Sequence, residues 1–131
     1  MNKSPSVLVV DDDPEMCTLV MDVLRNEGYN MAAAQDGAEA VRALWGRSFD
    51  VILMDKNLPG PSGLDLLPEL RRACPGARIV MMTAYGDVPS YVEAFEKGAT
   101  EYLFKPFRVE ELKTTIQKAL VRDALSRVCS G

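Results

Sequence analysis

The chain contains no histidine. That absence removes His-ligated zinc sites, Ser-His and Cys-His nucleophiles and imidazole acid–base chemistry. Any chemistry must rest on carboxylates, lysines, hydroxyls or a thiol. Cysteine is scarce as well: Cys17, Cys74 and Cys129, an odd number without CxxC spacing, fit neither a disulfide framework nor a zinc ribbon. Cys17 falls in an apolar helical pattern and reads as a small core residue, whereas Cys129, near the chain end, reads as exposed. Long apolar runs are also missing. The first, Val7 to Val10, is too short for a signal-peptide core or a membrane span, so a cytoplasmic location is expected. Neither charge sign dominates: 19 acidic against 15 basic residues leave a net charge of −4, which argues against direct nucleic-acid or membrane binding.

What is present is one domain's worth of chain. Its 131 residues, 47% hydrophobic and 26% charged, allow a single core burying roughly two-thirds of the unfolded surface.

Short apolar runs alternate with amphipathic stretches. Val7–Val10 reads as a buried strand halted by Asp11-Asp12-Asp13-Pro14, and Pro14 suits a helix's first turn. Met16, Leu19, Val20, Val23 and Leu24 recur at helical spacing up to Gly28. Residues 30–34 read as a weaker strand, and Asp36 can cap a helix holding Ala40, Val41 and Leu44. Val51–Met54 is a second buried strand, stopped by Asp55. Leu58-Pro59-Gly60-Pro61-Ser62-Gly63 has loop chemistry. The helix after it carries Leu64, Leu67 and Leu70, with Pro68 predicting a late start or a bend. Ile79–Met82 is a third strand, ending at Thr83. A helix follows from Asp87-Val88-Pro89, with Val92, Ala94 and Phe95 inward and Gly98 as its stop. Glu101–Phe104 is the last strand, ended by Lys105-Pro106, and the last helix carries Val109, Leu112, Ile116 and Leu120. Continuous rather than alternating apolar strands imply a sheet covered on both faces, and right-handed crossovers make it a doubly wound parallel α/β sheet.

A polar residue stands at the C-terminal end of four of the five strands: Asp11 with Asp12, Asp55, Thr83 and Lys105. In open parallel α/β sheets the ligand crevice lies at that edge. Three carboxylates without an imidazole make a hard oxygen site suited to Mg²⁺. A lysine can pair with a phosphoryl oxygen, a threonine hydroxyl can donate to another, and an Asp carboxylate can be the phosphoryl-accepting nucleophile. Each residue alone has a plainer reading. Asp11, Asp12 and Asp55 could be caps or turn residues, Asp13 before Pro14 most of all. Thr83 could be a strand end, Lys105 a solvated loop charge and Tyr102 core. Their joint placement at one edge outweighs these readings.

The sequence resembles the receiver domain of two-component response regulators over about residues 6–121. The resemblance rests on Val7–Asp13, Met54-Asp55 with Leu58-Pro59-Gly60 and Gly63, Met82-Thr83-Ala84, and Tyr102–Phe107. It implies a flavodoxin-like five-stranded sheet of order 2-1-3-4-5 with helices on both faces. It also implies Asp55 as phosphoacceptor, and Mg²⁺ held by Asp11, Asp12, Asp55 and the backbone carbonyl of Asn57. Lys105 would pair with the phosphoryl group, and the Lys105-Pro106 bond would be cis. Thr83 would move to the phosphoryl oxygen and Tyr102 would turn inward behind it. The implied donor is a sensor histidine kinase or phosphotransfer domain, since this chain has no histidine of its own. Lys56 departs from the commoner apolar residue beside the acceptor, and Leu58 replaces a commoner Met. Asn57 and Tyr85 occupy positions that influence phosphoryl lifetime in this family.

Tyr85-Gly86-Asp87-Val88-Pro89 resembles receivers joined to AAA+ transcription activators, and also some joined to helix-turn-helix domains, so an output domain is expected in the full-length protein. Val121, Ala124, Leu125 and Val128 form an apolar stripe, and residues 122–131 read as a helical extension that begins a linker and could support a homodimer through the last helices. Two other classes compete with a switch. A phosphohydrolase with an Asp nucleophile typically carries a second Asp where this chain has Asn57. A pseudo-receiver interaction module usually lacks one of the site residues, all of which are kept here. A flavodoxin-like redox protein fits poorly, because the acidic first loop would repel a flavin phosphate.

Overall fold

The computed structural model describes residues 4–60, 62–84 and 95–130, with the backbone alone at 64, 84 and 122–130. Five strands, β1 (Ser6–Val10), β2 (Asn30–Ala34), β3 (Val51–Asp55), β4 (Arg78–Ala84) and β5 (Glu101–Lys105), interleave with helices α1 (Pro14–Asn26), α2 (Gly37–Ala43), α3 (Gly63–Ala73) and α4 (Val109–Ser130). Every strand pair is parallel, in the order β2-β1-β3-β4-β5. The helix expected from Asp87 lies outside the described residues apart from its end: Phe95 and Glu96 are helical, and Gly98 follows at φ +111°. Tyr85, Val92, Ala94 and the side chains of Ala124, Leu125, Val128 and Cys129 are likewise outside the description.

The continuous apolar strands serve two cores. Because successive strand residues point to opposite faces, Val7, Val9, Val51, Leu53, Val80, Met82 and Leu103 pack with α1 and α4. Their neighbours Leu8, Val10, Ile52, Met54, Ile79 and Met81 pack with α2 and α3. All of these strand residues are at most 4% exposed, which is why no polar alternation marks them.

Local chemistry sets the helix starts. Asp13 caps α1 by accepting from the Glu15 N–H at 3.0 Å, with Pro14 in the first turn. Asp36 caps α2 by accepting from the Glu39 N–H at 2.8 Å, while the Glu39 carboxylate accepts from the Gln35 N–H at 2.7 Å. Ser62 caps α3 through Asp65 N–H. That cap corrects the expectation for Pro68: α3 starts five residues before the proline and runs through it, with Pro68 on the exposed face. Leu19 also departs from its predicted role. At 46% exposed it lies outside the buried stripe of Cys17, Val20 and Leu24. Val109 and Val121 of α4 are exposed as well.

Candidate functional site

The sheet order reverses at β1, whose two neighbours are β2 and β3, so a crevice opens beyond the C-terminal ends of β1 and β3. Asp11 follows β1 directly and Asp55 is the last residue of β3. Both are buried, at 1% and 6% exposed. Asp12 is exposed at the rim. Oxygens of Asp11, Asp12 and Asp55 lie within 4.8 Å of one another, a set that could hold a metal ion.

Asp11 and Asp55 are oriented by the same local device. Asp11 Oδ1 accepts from the Asp13 N–H at 2.9 Å, and Asp55 Oδ1 accepts from the Asn57 N–H at 3.1 Å. Each carboxylate folds back on the amide two residues ahead. This fixes one oxygen and leaves the other facing the crevice. Lys105 joins those second oxygens: its Nζ donates to Asp11 Oδ2 at 2.7 Å and to Asp55 Oδ2 at 3.3 Å. The ammonium comes from β5 and passes β4 to do so, and the Lys105-Pro106 peptide is cis as expected. The Cys17 thiol, buried in α1, donates to the Asp11 carbonyl at 3.3 Å.

Charge and burial pull against each other here. Burial pushes the Asp55 carboxyl above its ordinary range, opposed by the Asn57 N–H and the Lys105 ammonium and reinforced by Asp11. Burial would lower Lys105, but its hydrogen bond to Asp11 and the charges of Asp55 and Asp11 outweigh it and hold the ammonium above its ordinary range. Three carboxylates against one ammonium leave about two negative charges in a half-closed crevice, the chemistry of a divalent-cation site.

Thr83 stands at the same edge, 1% exposed, inside β4 rather than beyond it. Strand alternation puts it on the Met81 face, away from Asp55 and Lys105, and its Oγ1 is buried without a hydrogen-bond partner among the described residues. Tyr102, half-buried on β5, shares that face and packs against the α2–α3 core, with ring centroids 6.5 Å from Phe95 and 5.2 Å from Phe104.

The structure therefore brings together Asp11, Asp12, Asp55 and Lys105, and sets Thr83 and Tyr102 behind them. Sequence reading missed three contributors: the backbone amides of Asp13 and Asn57, and Cys17. The amides had a signal, since Asp at the start of a turn commonly accepts from the amide two residues on. The Cys17 contact had none, because it depends on how α1 docks.

Known proteins agree with this geometry. The model of the response regulator receiver domain matches residues 7–117. The chain is 40% identical over 114 residues to the transcriptional regulatory protein ZraR of Escherichia coli O157:H7, covering 87% of this chain but only 26% of that protein. NtrX from Brucella abortus superposes with a TM-score of 0.91 at 31% identity, over 98% of this chain and 30% of NtrX. The chemotaxis response regulator CheY4 of Vibrio cholerae superposes with a TM-score of 0.84 at 32% identity, over 90% of this chain and all of CheY4. The chain thus spans about a quarter of ZraR and the whole of CheY4. Fold, crevice and family match converge on one assignment: the chain belongs to the response regulator receiver domain family.

Proposed function

We propose that this domain is a phosphorylation-activated switch in which Asp55 accepts a phosphoryl group from a phosphohistidine on a sensor histidine kinase or phosphotransfer domain. The observation that carries this reading is the bridge from Lys105 Nζ to Asp11 Oδ2 and Asp55 Oδ2. It puts a fixed cation beside a buried carboxylate whose other oxygen accepts from the Asn57 N–H. A carboxylate oxygen of Asp55 forms the new O–P bond as the donor's N–P bond breaks, and the electron pair of that bond stays on the imidazole nitrogen. Lys105 meets the incoming phosphoryl charge as a point cation.

The donor set fits Mg²⁺: only hard oxygens, clustered, with net negative charge. Asp11, Asp12, Asp55 and the backbone carbonyl of Asn57 would hold it, and it would offset the charge of the phosphoryl oxygens. The Thr83 hydroxyl would turn from the Met81 face to donate to a phosphoryl oxygen, and Tyr102, on that same face, would turn inward behind it. The output side is then the face built from β5 and α4, continuing along residues 122–130 toward an output domain, of the AAA+ activator class by the residues at 85–89. Homodimerisation through the last helices and a cytoplasmic setting complete the reading. No described helix is long and apolar enough to cross a membrane. The domain's own catalysis is confined to forming and hydrolysing its acyl phosphate.

The test is direct. Incubated with Mg²⁺ and acetyl phosphate, the protein gains one phosphoryl group by intact mass, and Asp55→Asn gains none. An adduct that survives Asp55→Asn refutes the acceptor assignment.

A further inference from the structure

Helix α3 begins against the acceptor strand. The Gly63 N–H donates to the Lys56 carbonyl at 2.7 Å, closing the loop that runs from the acceptor to the helix. A Cβ at Gly63 would stand 2.5 Å from the Asp55 carbonyl oxygen, 2.9 Å from Lys56 Cα and 3.1 Å from Met81 Cε. The first two atoms are backbone and cannot swing aside. Among the described glycines this is the one whose added methyl meets main chain. At Gly37 and Gly98 the nearest atoms are side-chain ends, and at Gly28, Gly46, Gly60 and Gly76 there is open space. Nor is Gly63 kept by its torsion angles: the positive-φ glycines are Gly28, Gly60 and Gly98. Only the missing side chain matters there.

What would yield under an added methyl follows from the pairing. β3 is held by β1 on one side and β4 on the other, and the Lys56 N–H extends the ladder by donating to the Met82 carbonyl at 2.8 Å. The strand is anchored, so displacement passes to the start of α3 and to the loop carrying Asn57. The Asn57 N–H is the donor that orients Asp55 Oδ1.

We infer that Gly63 is a positioning residue for the phosphoacceptor: its bare Cα lets α3 close on the Asp55–Lys56 peptide and so holds Asn57 in register with the Asp55 carboxylate. This rests on Asp55 as acceptor and goes beyond it by assigning a role eight residues downstream. A glycine that served only the helix would behave in the opposite way, since alanine is the better helix former and should be neutral or stabilising.

The experiment compares wild type, Gly63→Ala and Gly76→Ala, the last adding a methyl in open space. Initial rates of phosphorylation by acetyl phosphate are read by intact mass across a Mg²⁺ series, alongside the Mg²⁺-induced rise in Tm of the unphosphorylated proteins. Gly63→Ala should need at least tenfold more Mg²⁺ for half-maximal rate and show a smaller Mg²⁺-induced rise in Tm, with Gly76→Ala like wild type. Adding Met81→Val to Gly63→Ala, which removes only the side-chain contact, should restore neither. Wild-type Mg²⁺ dependence in Gly63→Ala, or its recovery with Met81→Val, overturns the inference. If Gly63→Ala yields no folded protein, an NMR Mg²⁺ titration of the wild type decides: the Gly63 and Asn57 amides should shift together along one binding curve, and a Gly63 amide that stays still overturns it. A wild type that takes no phosphoryl group defeats the acceptor reading itself. A phosphorylated wild type with an indifferent Gly63→Ala defeats only the positioning role.

Discussion

Lys105 and Asp11, ninety-four residues apart in sequence, are joined by a 2.7 Å hydrogen bond at the C-terminal edge of the sheet. Asp11 is 1% exposed and the lysine side chain 25%. Neither charge is well solvated: the Lys105 ammonium is balanced by Asp11 and Asp55, and Lys105 is the cation that offsets Asp11. This sets the first expectation. Lys105→Met strands two buried carboxylates and should cost about 2 kcal/mol in urea unfolding without Mg²⁺, less than for a fully buried pair because the ammonium is partly wet. Phosphorylation by acetyl phosphate should also fall sharply. A variant as stable as wild type would show that the bridge contributes nothing to the fold.

Thr83 carries an expectation of the opposite sign. Its Oγ1 is buried and has no partner among the described residues, so the hydroxyl is expected to cost stability in the unphosphorylated state. Thr83→Val, which keeps the shape, should be more stable by about 1 kcal/mol while failing to propagate the phosphorylated state. Urea titration measures the first and phosphorylation-dependent chemical shifts on Tyr102 the second. A Val variant less stable than wild type would mean that the hydroxyl is satisfied.

Asp55 links the site to pH. Its folded-state pKa is raised above 3.8, chiefly by burial. The folded state therefore binds the proton more tightly than the unfolded chain does. Ionised Asp55 costs stability at neutral pH, and that cost fades as pH falls through the folded pKa toward 3.8. Asp55→Asn should accordingly raise Tm at pH 7 in the absence of Mg²⁺, with the gain shrinking toward pH 4. Thermal scans at the two pH values test it, and an Asn variant that melts lower at pH 7 contradicts it.

Asp12 and Asp13 are adjacent acids with separable duties. Asp13 caps α1 through the Glu15 N–H, so Asp13→Ala should lose about 1 kcal/mol of stability and keep its Mg²⁺ dependence. Asp12 is exposed and belongs to the metal-sized cluster. Asp12→Ala should change stability by less than about 0.5 kcal/mol without Mg²⁺ yet raise the Mg²⁺ needed for phosphorylation several-fold. Urea curves and a Mg²⁺ titration on both variants separate the two roles.

Local patterning was enough to establish the strands, their parallel pairing and the acidic edge. Short apolar runs stopped by Asp, Asp, Thr and Lys admit few other folds, because burial of β1 and β3 on both faces leaves no polar period to read. Helix starts at Asp13 and Asp36 were legible for the same local reason: a side-chain oxygen two or three residues ahead of an unpaired amide. Where two local signals competed, at Ser62 and Pro68, the cap prevailed. Leu19 was misread because helical spacing alone does not say how wide the buried stripe is. Packing alone reveals that Lys105 spans two carboxylates, that the Thr83 hydroxyl stands on the opposite face with no partner among the described residues, and that Gly63 leaves no room for a methyl over the Asp55–Lys56 peptide. The first joins strands far apart in the chain, the second depends on which face of β4 the hydroxyl takes, and the third is a close approach across a short loop. Such relationships are set by how strands and helices pack together, which no local pattern encodes.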